Sequence, residues 1–252
     1  MKDARKDAMS IPVMAPDQGR LITIDAVDGA GKDTVAQALL AWLERHGRHV
    51  HDYDRLGPDQ AIPAQTDVLF LSQPSRWGIG KVIRDTIMKD KAFDARSTAM
   101  AFALDREVLY RNTVLPFLMN KPGRLVIQVR GLMSSFVYQT IQALDEGSPL
   151  SVHELLEFPG NRLELSRRPD LAILLTLSQE TAAKRLAGRI EKVDDDKFGN
   201  PHFQSRLSLR YHDKDVLEPF MLLGTKIAYI DAEGSAEQVA AACKVEVSKL
   251  LA

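Results

Sequence analysis

A single cysteine, Cys243, stands in the 252 residues, which excludes an internal disulfide framework and fits a reducing compartment. It lies in an Ala/Val-rich stretch of helical spacing, where a thiol reads as a small buried apolar group rather than a nucleophile. Excess charge of either sign is missing: 33 Lys and Arg face 34 Asp and Glu, a net charge of −1. Nothing global argues for a nucleic acid partner, and basic residues must act locally. Long hydrophobic runs are missing too. None approaches the roughly 20 apolar residues that cross a bilayer, so no membrane partner is expected. Met1 to Gly19 mixes Lys, Asp, Arg and Pro without a secretory apolar stretch, and residues 1–19 read as a flexible N-terminal tail. Its acidic residues make a poor organelle transit peptide, so the expected location is cytoplasmic. The six histidines are dispersed; His49 and His51 alternate, but no further ligand follows at metal spacing. Internal repeats and low-complexity linkers are absent. With 45% hydrophobic residues the chain can bury one large core, and residues 20–252 are expected to form a single domain.

What is present is an alternation of two periodicities. Leu21 to Ile24 is a short apolar, β-branched run ending at Asp25, the look of a buried parallel strand. From Thr34 to His46, Val35, Ala38, Leu39, Trp42 and Leu43 recur at helical spacing up to Gly47. Further apolar runs at Val68 to Leu71, Leu125 to Val129, Leu171 to Leu177 and Lys226 to Ile230 are each followed by helical spacing. Five such units predict an α/β fold, a parallel five-stranded sheet with helices on both faces and ligands at the carboxyl ends of the strands. The stretch from Asp52 to Thr66, rich in Pro, Gly, Asp and Gln, reads as a surface excursion.

Between the first strand and first helix lies Asp25-Ala26-Val27-Asp28-Gly29-Ala30-Gly31-Lys32-Asp33-Thr34, the strand–loop–helix setting of a phosphate-binding loop. Gly29 and Gly31 let successive backbone N–H groups turn inward beside the positive end of the helix dipole. Lys32 would meet the terminal phosphates as a point charge. Two positions depart from the usual motif: Ala26 stands for the first glycine, and Asp33 for the Ser or Thr that follows the lysine. That hydroxyl ordinarily binds Mg²⁺. The Asp33 carboxylate is a candidate metal ligand in its place, or a repulsive charge where no ion is bound, and Thr34 remains as a hydroxyl. The fold expected is therefore the three-layer P-loop NTPase fold. The plainer alternative is an ordinary strand-to-helix turn with a solvated lysine.

The segment Ile22 to Leu39 resembles the opening of thymidylate kinases, and four further segments follow in the family's order through to the C-terminus. Pro74-Ser75-Arg76 resembles the family's Pro-x-Arg turn, which implies that Arg76 contacts the acceptor phosphate. Phe102-Ala103-Leu104-Asp105-Arg106 is similar to its base-recognition helix, implying Phe102 against the ring and Arg106, with Asp105 beside it, reading a base carbonyl. Val129-Arg130-Gly131 with Ser134, Ser135, Tyr138 and Gln139 resembles the family's Asp-Arg segment. Arg130 would then hold the monophosphate and Tyr138 pack on the deoxyribose, while Val129 replaces the family's aspartate. Arg185 to Arg206 resembles a mobile lid, at about 190–202, with Arg185, Arg189, Lys192 and Lys197 around three aspartates; Arg189 is the candidate for the moving phosphoryl group. Ile230-Asp231-Ala232, with Ser235 and Val239, resembles the strand and turn lining an adenine pocket. Taken singly, these side chains also have structural readings: Phe102 and Tyr138 as core aromatics, Arg76 and Arg130 as surface arginines, and the lid as a solvated charged face.

The resemblance implies a homodimeric, Mg²⁺-dependent kinase moving the γ-phosphoryl group of ATP to a deoxynucleoside monophosphate, dTMP first among them. Its catalytic residues would be Lys32, Arg130 and Arg189. Asp28, Gly29, Ala30, Gly31, Lys32, Asp33 and Thr34 would hold ATP. The acceptor would meet Arg76, Phe102, Asp105, Arg106, Arg130, Ser135, Tyr138 and Gln139. Two other readings stay open because Ala26, Asp33 and Val129 all depart from the pattern near the chemistry: a kinase for another or modified pyrimidine monophosphate, and a nucleotide-binding protein with weakened catalysis and a regulatory role.

Overall fold

The β-branched and aliphatic runs do form strands, and they line up side by side in one direction. The computed structural model describes residues 19–187 and 201–252. In chain order the elements are β1 (Arg20–Asp25), α1 (Lys32–Arg45), β2 (Val50–Asp52), α2 (Tyr53–Leu56), β3 (Val68–Ser72) and α3 (Gly78–Val82), which runs on as a π-helical turn. Then come α4 (Ala95–Leu109), α5 (Leu115–Asn120), β4 (Leu125–Val129), α6 (Leu132–Asp145), α7 (Val152–Leu156) and α8 (Pro159–Ser166). The chain closes with β5 (Leu171–Thr176), α9 (Gln179–Ala187), α10 (Pro201–Arg210), α11 (Lys214–Leu222), β6 (Lys226–Asp231) and α12 (Ala236–Leu251).

The sheet has six strands in the order β2-β3-β4-β1-β5-β6, every pair parallel. Five strands were expected; β2 is the sixth. Its three residues are too short to carry a periodicity, and only pairing of Val50 to Asp52 with Val68 to Phe70 makes them a strand. Alternate residues of the sheet feed two faces. Ile22, Ile24, Ile127 and Ile173 pack under α1 and α12, where Leu39 and Cys243 are fully buried. On the other face Leu21, Leu69 and Val126 meet Tyr110 and Leu118, while Ala172 and Leu174 join the layer built on α6. This is the three-layer arrangement expected of a P-loop kinase fold.

Two boundaries change. Gly19, assigned to the tail, is packed: its N–H donates to the Leu118 carbonyl at 3.2 Å, and a Cβ there would lie 2.5 Å from the Arg124 carbonyl oxygen. Residues 1–18 lie outside the described residues. The Asp52 to Thr66 stretch is a surface excursion only from Pro58 to Gln65, since Tyr53, Asp54 and Gly57 are buried. The cause is Trp77, whose indole N–H donates to the Tyr53 carbonyl at 3.0 Å and whose ring covers Gly57. Among the described residues, no helix is long and apolar enough to cross a membrane.

Candidate active site

The loop from Ala26 to Lys32 sits between the carboxyl end of β1 and the first turn of α1, with Gly29 and Gly31 at φ of 82° and 86°. Both angles are costly for any residue with a Cβ. At Gly29 a Cβ would also lie 2.8 Å from the Ala182 carbonyl oxygen, so α9 rests directly on the loop. Lys32 is buried and folded back on this loop, its Nζ 2.7 Å from the Val27 carbonyl oxygen and 3.6 Å from the Asp28 carboxylate. Burial, and after it the Arg130 guanidinium, pull its pKa down to about 8 against the opposing pull of Asp28. Asp33 and Thr34 follow on the exposed first turn of α1. Asp28 takes hydrogen bonds with both ends of the Gln204 amide, 3.0 Å at its N–H and 2.9 Å at its carboxylate, tying α10 to the loop.

Beneath the loop is a carboxylate that the residue patterns did not single out as a site group. Asp25 is fully buried; Ser134 Oγ donates to its Oδ1 at 2.5 Å, and Oδ2 has no partner among the described residues. Burial raises its pKa, opposed first by that hydrogen bond and then by Arg130. Ser134 in turn lies 2.9 Å from the Tyr211 hydroxyl at the end of α10.

Arg130 joins this loop to the neighbouring cleft. Immediately after β4, it holds a left-handed backbone, φ 63°, a conformation rare outside glycine and worth roughly 1–3 kcal/mol of strain. Its N–H donates to the Ile24 carbonyl at 2.9 Å, and its guanidinium pairs with Asp28, donates to the Tyr138 hydroxyl at 3.1 Å and lies over the Tyr138 ring. Val129, where the family has aspartate, is buried in the core beneath α1.

Arg76 sits at the far lip, half exposed, its Nε 3.1 Å from Asp54. Asp54 is buried, and its carboxylate is satisfied by Ser72, which donates to it twice, at 3.0 and 2.6 Å. Arg84, which the sequence did not flag, donates to the Pro74 carbonyl at 3.0 Å and pins this turn. Burial first, and then the nearby Arg76 charge, lower its pKa, the mark of cations crowded together. Asp105 faces the same turn: Ser75 donates its N–H and hydroxyl to the carboxylate at 2.7 and 2.6 Å. It therefore holds the loop that carries Arg76. Burial raises the Asp105 pKa against those two hydrogen bonds.

One turn apart on α4, Phe102 is half buried and Arg106 is 1% exposed. The Arg106 guanidinium is committed to protein partners: Nε to Glu164 at 2.6 Å and Gln73 at 3.0 Å, Nη2 to Ser135 at 2.8 Å, and Nη1 to Asn161. Gln139, a turn beyond Ser135 on α6, is buried with its amide oxygen unpartnered among the described residues. Arg185 is half-buried on α9 and donates to the Gly234 carbonyl at 3.1 Å. Arg189, Lys192 and Lys197 lie outside the described residues. Of the partners that the sequence reading missed, Asp54 and Glu164 stand 22 and 58 residues from the arginines they pair with, and Arg84 only 10 from the Pro74 carbonyl it holds; none belongs to a local motif.

A glycine-turned phosphate loop at the carboxyl end of an interior strand of a parallel sheet, facing a cleft of arginines, defines a P-loop nucleoside monophosphate kinase. The sequence profile of the family described as thymidylate kinase matches residues 60–242. A Thermococcus onnurineus protein described as "Probable thymidylate kinase" is 30% identical over 185 residues, covering 70% of this chain and 76% of its own. The thymidylate kinases of Bifidobacterium longum and Leifsonia xyli are 29% and 30% identical over 92% of this chain, with 98% and 95% of their own lengths covered. The chain belongs to the thymidylate kinase family, and it is an enzyme that transfers a phosphoryl group to a nucleoside monophosphate.

Proposed function

We propose that the chain moves the γ-phosphoryl group of ATP to dTMP, with Mg²⁺, yielding dTDP. The observation that carries this reading is Arg130, one guanidinium in contact with both Asp28 of the phosphate loop and Tyr138 of the acceptor cleft. In-line transfer depends on holding two anionic phosphates together, so positioning and charge neutralisation carry it. The amides of Gly29 to Lys32 receive the donor phosphates, and Lys32 exchanges its bond to the Val27 carbonyl for the terminal phosphate. Arg76 and Arg130 hold the acceptor phosphate within the potential of Arg84. Phe102 stacks on the base, Arg106, Ser135 and Gln139 line its edge, and Tyr138 packs on the sugar.

Asp33 and Thr34 fit a magnesium site: both are exposed oxygen donors on the first turn beside the loop, and this ion takes one or two protein ligands plus phosphate and water. When bound, the ion supplies neutralisation of the donor phosphates. Replacing Asp33→Ser is expected to raise the Mg²⁺ concentration for half-maximal rate severalfold; an unchanged requirement removes Asp33 from that site. Residues 20–252 act as one domain, the enzyme is cytoplasmic, and two copies associate through α4, where Met100, Leu104 and Val108 form an exposed apolar stripe.

The test is a coupled ADP-release assay comparing dTMP, dUMP, dCMP and 5-substituted pyrimidine monophosphates. The highest kcat/KM is expected for dTMP. Preference for another acceptor moves the reading to the second kinase. ATP binding without turnover of any acceptor replaces it with the regulatory one, whose support is the apolar Val129 where the family carries a carboxylate.

A further inference from the structure

We propose that Glu164 sets the direction in which the acceptor enters the cleft: by neutralising Arg106 it leaves the base end uncharged, so that the phosphate goes to Arg76 and Arg130. The inference rests on the acceptor reading above. A guanidinium is the side chain best shaped to take a phosphate, two N–H groups at a time. The cleft offers several, and a monophosphate has only one correct end for its anion. Each is paired with a carboxylate, Arg76 with Asp54, Arg130 with Asp28 and Arg106 with Glu164, so what distinguishes them is exposure. The side chain of Arg76 is 49% exposed and that of Arg130 20%, whereas Arg106 and Glu164 are each 1% exposed. Phosphate can thus approach the first two, whereas the third is sealed inside the protein together with its counter-charge.

Glu164 is seated as a hub. Its Oε2 accepts from Arg106 at 2.6 Å and from the Gln73 amide at 2.8 Å. Its Oε1 accepts from the Leu132 N–H at 2.9 Å, at the start of α6, and from Gln128 at 3.4 Å. Four segments of the cleft are therefore bound to one carboxylate. Two glycines make room for it. A Cβ at Gly131 would lie 2.7 Å from Oε1, and one at Gly160 would lie 1.9 Å from the Ala103 carbonyl oxygen, forcing α8 away from α4. Removing the charge but not the shape would leave a buried cation without a counter-ion, a state that attracts any small anion within reach.

The experiment uses the full chain and sulfate as the probe, at constant ionic strength set with chloride. With Glu164→Gln, sulfate inhibition competitive with the acceptor is expected to strengthen about tenfold or more, with the acceptor KM raised and the donor KM unchanged. Glu164→Asp keeps the charge but shortens its reach; it should raise the acceptor KM while sulfate inhibits as in the wild type. In the double variant Arg106→Gln/Glu164→Gln the extra sulfate sensitivity should vanish. A merely structural Glu164 would lower stability without moving the sulfate constant, and a wild-type sulfate constant in Glu164→Gln overturns the proposal. Should that variant not fold, a wild-type acceptor KM in Glu164→Asp overturns it instead. Phe102→Ala separates the two failures: if it leaves the acceptor KM unchanged, the acceptor reading has failed, and if it raises the KM while the Glu164 variants do nothing, only the role of Glu164 is lost.

Discussion

Two residues at the glycine-rich loop have chemistry that only their surroundings explain. Lys32 in the free enzyme has a pKa near 8 because it is buried beside Arg130. Between about 8 and the usual 10.5 the native state has lost this proton and the unfolded chain has kept it. The unfolded state then binds more protons, so this group makes the ligand-free protein more stable as pH rises through that window, and its penalty is constant below it. Triphosphate binding acts the other way, raising the lysine's pKa. Calorimetry at about pH 8.5 in buffers of different ionisation enthalpy should detect proton uptake with ATP, and at about pH 6.5 none from this group. Arg130 pays for its contacts with a left-handed backbone, so the two simplest truncations should differ. Arg130→Gly is expected to be more stable than Arg130→Ala by about 1 kcal/mol in chemical denaturation, with both nearly inactive. Cys243, pushed up to about 12 by burial, should resist a thiol reagent at neutral pH until denaturant is added.

At the scale of elements, the cleft depends on how closely α8 approaches α4. Gly160 permits that contact, and Gly160→Ala is expected to destabilise the fold by about 1–3 kcal/mol, read as a shift in the denaturation midpoint with unchanged slope. Loss at that position should raise the acceptor KM before the donor KM, since α4 carries Phe102 and Arg106 while the phosphate loop rests on α1 and α9. Most of these elements were legible in advance. Leu125 to Val129 forms β4 as bounded from its apolar run, and the helical spacing after Thr34 yields α1 with only its first turn extended. The three-residue β2 was not legible, because alternation over three positions carries no signal without the neighbour that hydrogen-bonds to it.

For the whole molecule, α4 has one face in the cleft and another in solvent. Met100, Leu104 and Val108 recur every four residues and are exposed, an apolar stripe that a soluble helix seldom leaves uncovered. Sedimentation should find a dimer, and Leu104→Glu should shift it toward monomer; a wild-type monomer at all concentrations removes the interface. The sequence by itself determined the α/β layering and the glycine-turned loop after β1, because strand and helix periodicities and the Asp28-Gly29-Ala30-Gly31-Lys32 turn are written in consecutive residues. Only the tertiary structure decided that Arg106 is neutralised by Glu164, that Asp105 steadies Ser75 and that Arg130 joins Asp28 to Tyr138. Those pairings cross 58, 30 and 102 residues of chain, and no local pattern specifies which distant side chain a buried charge will meet.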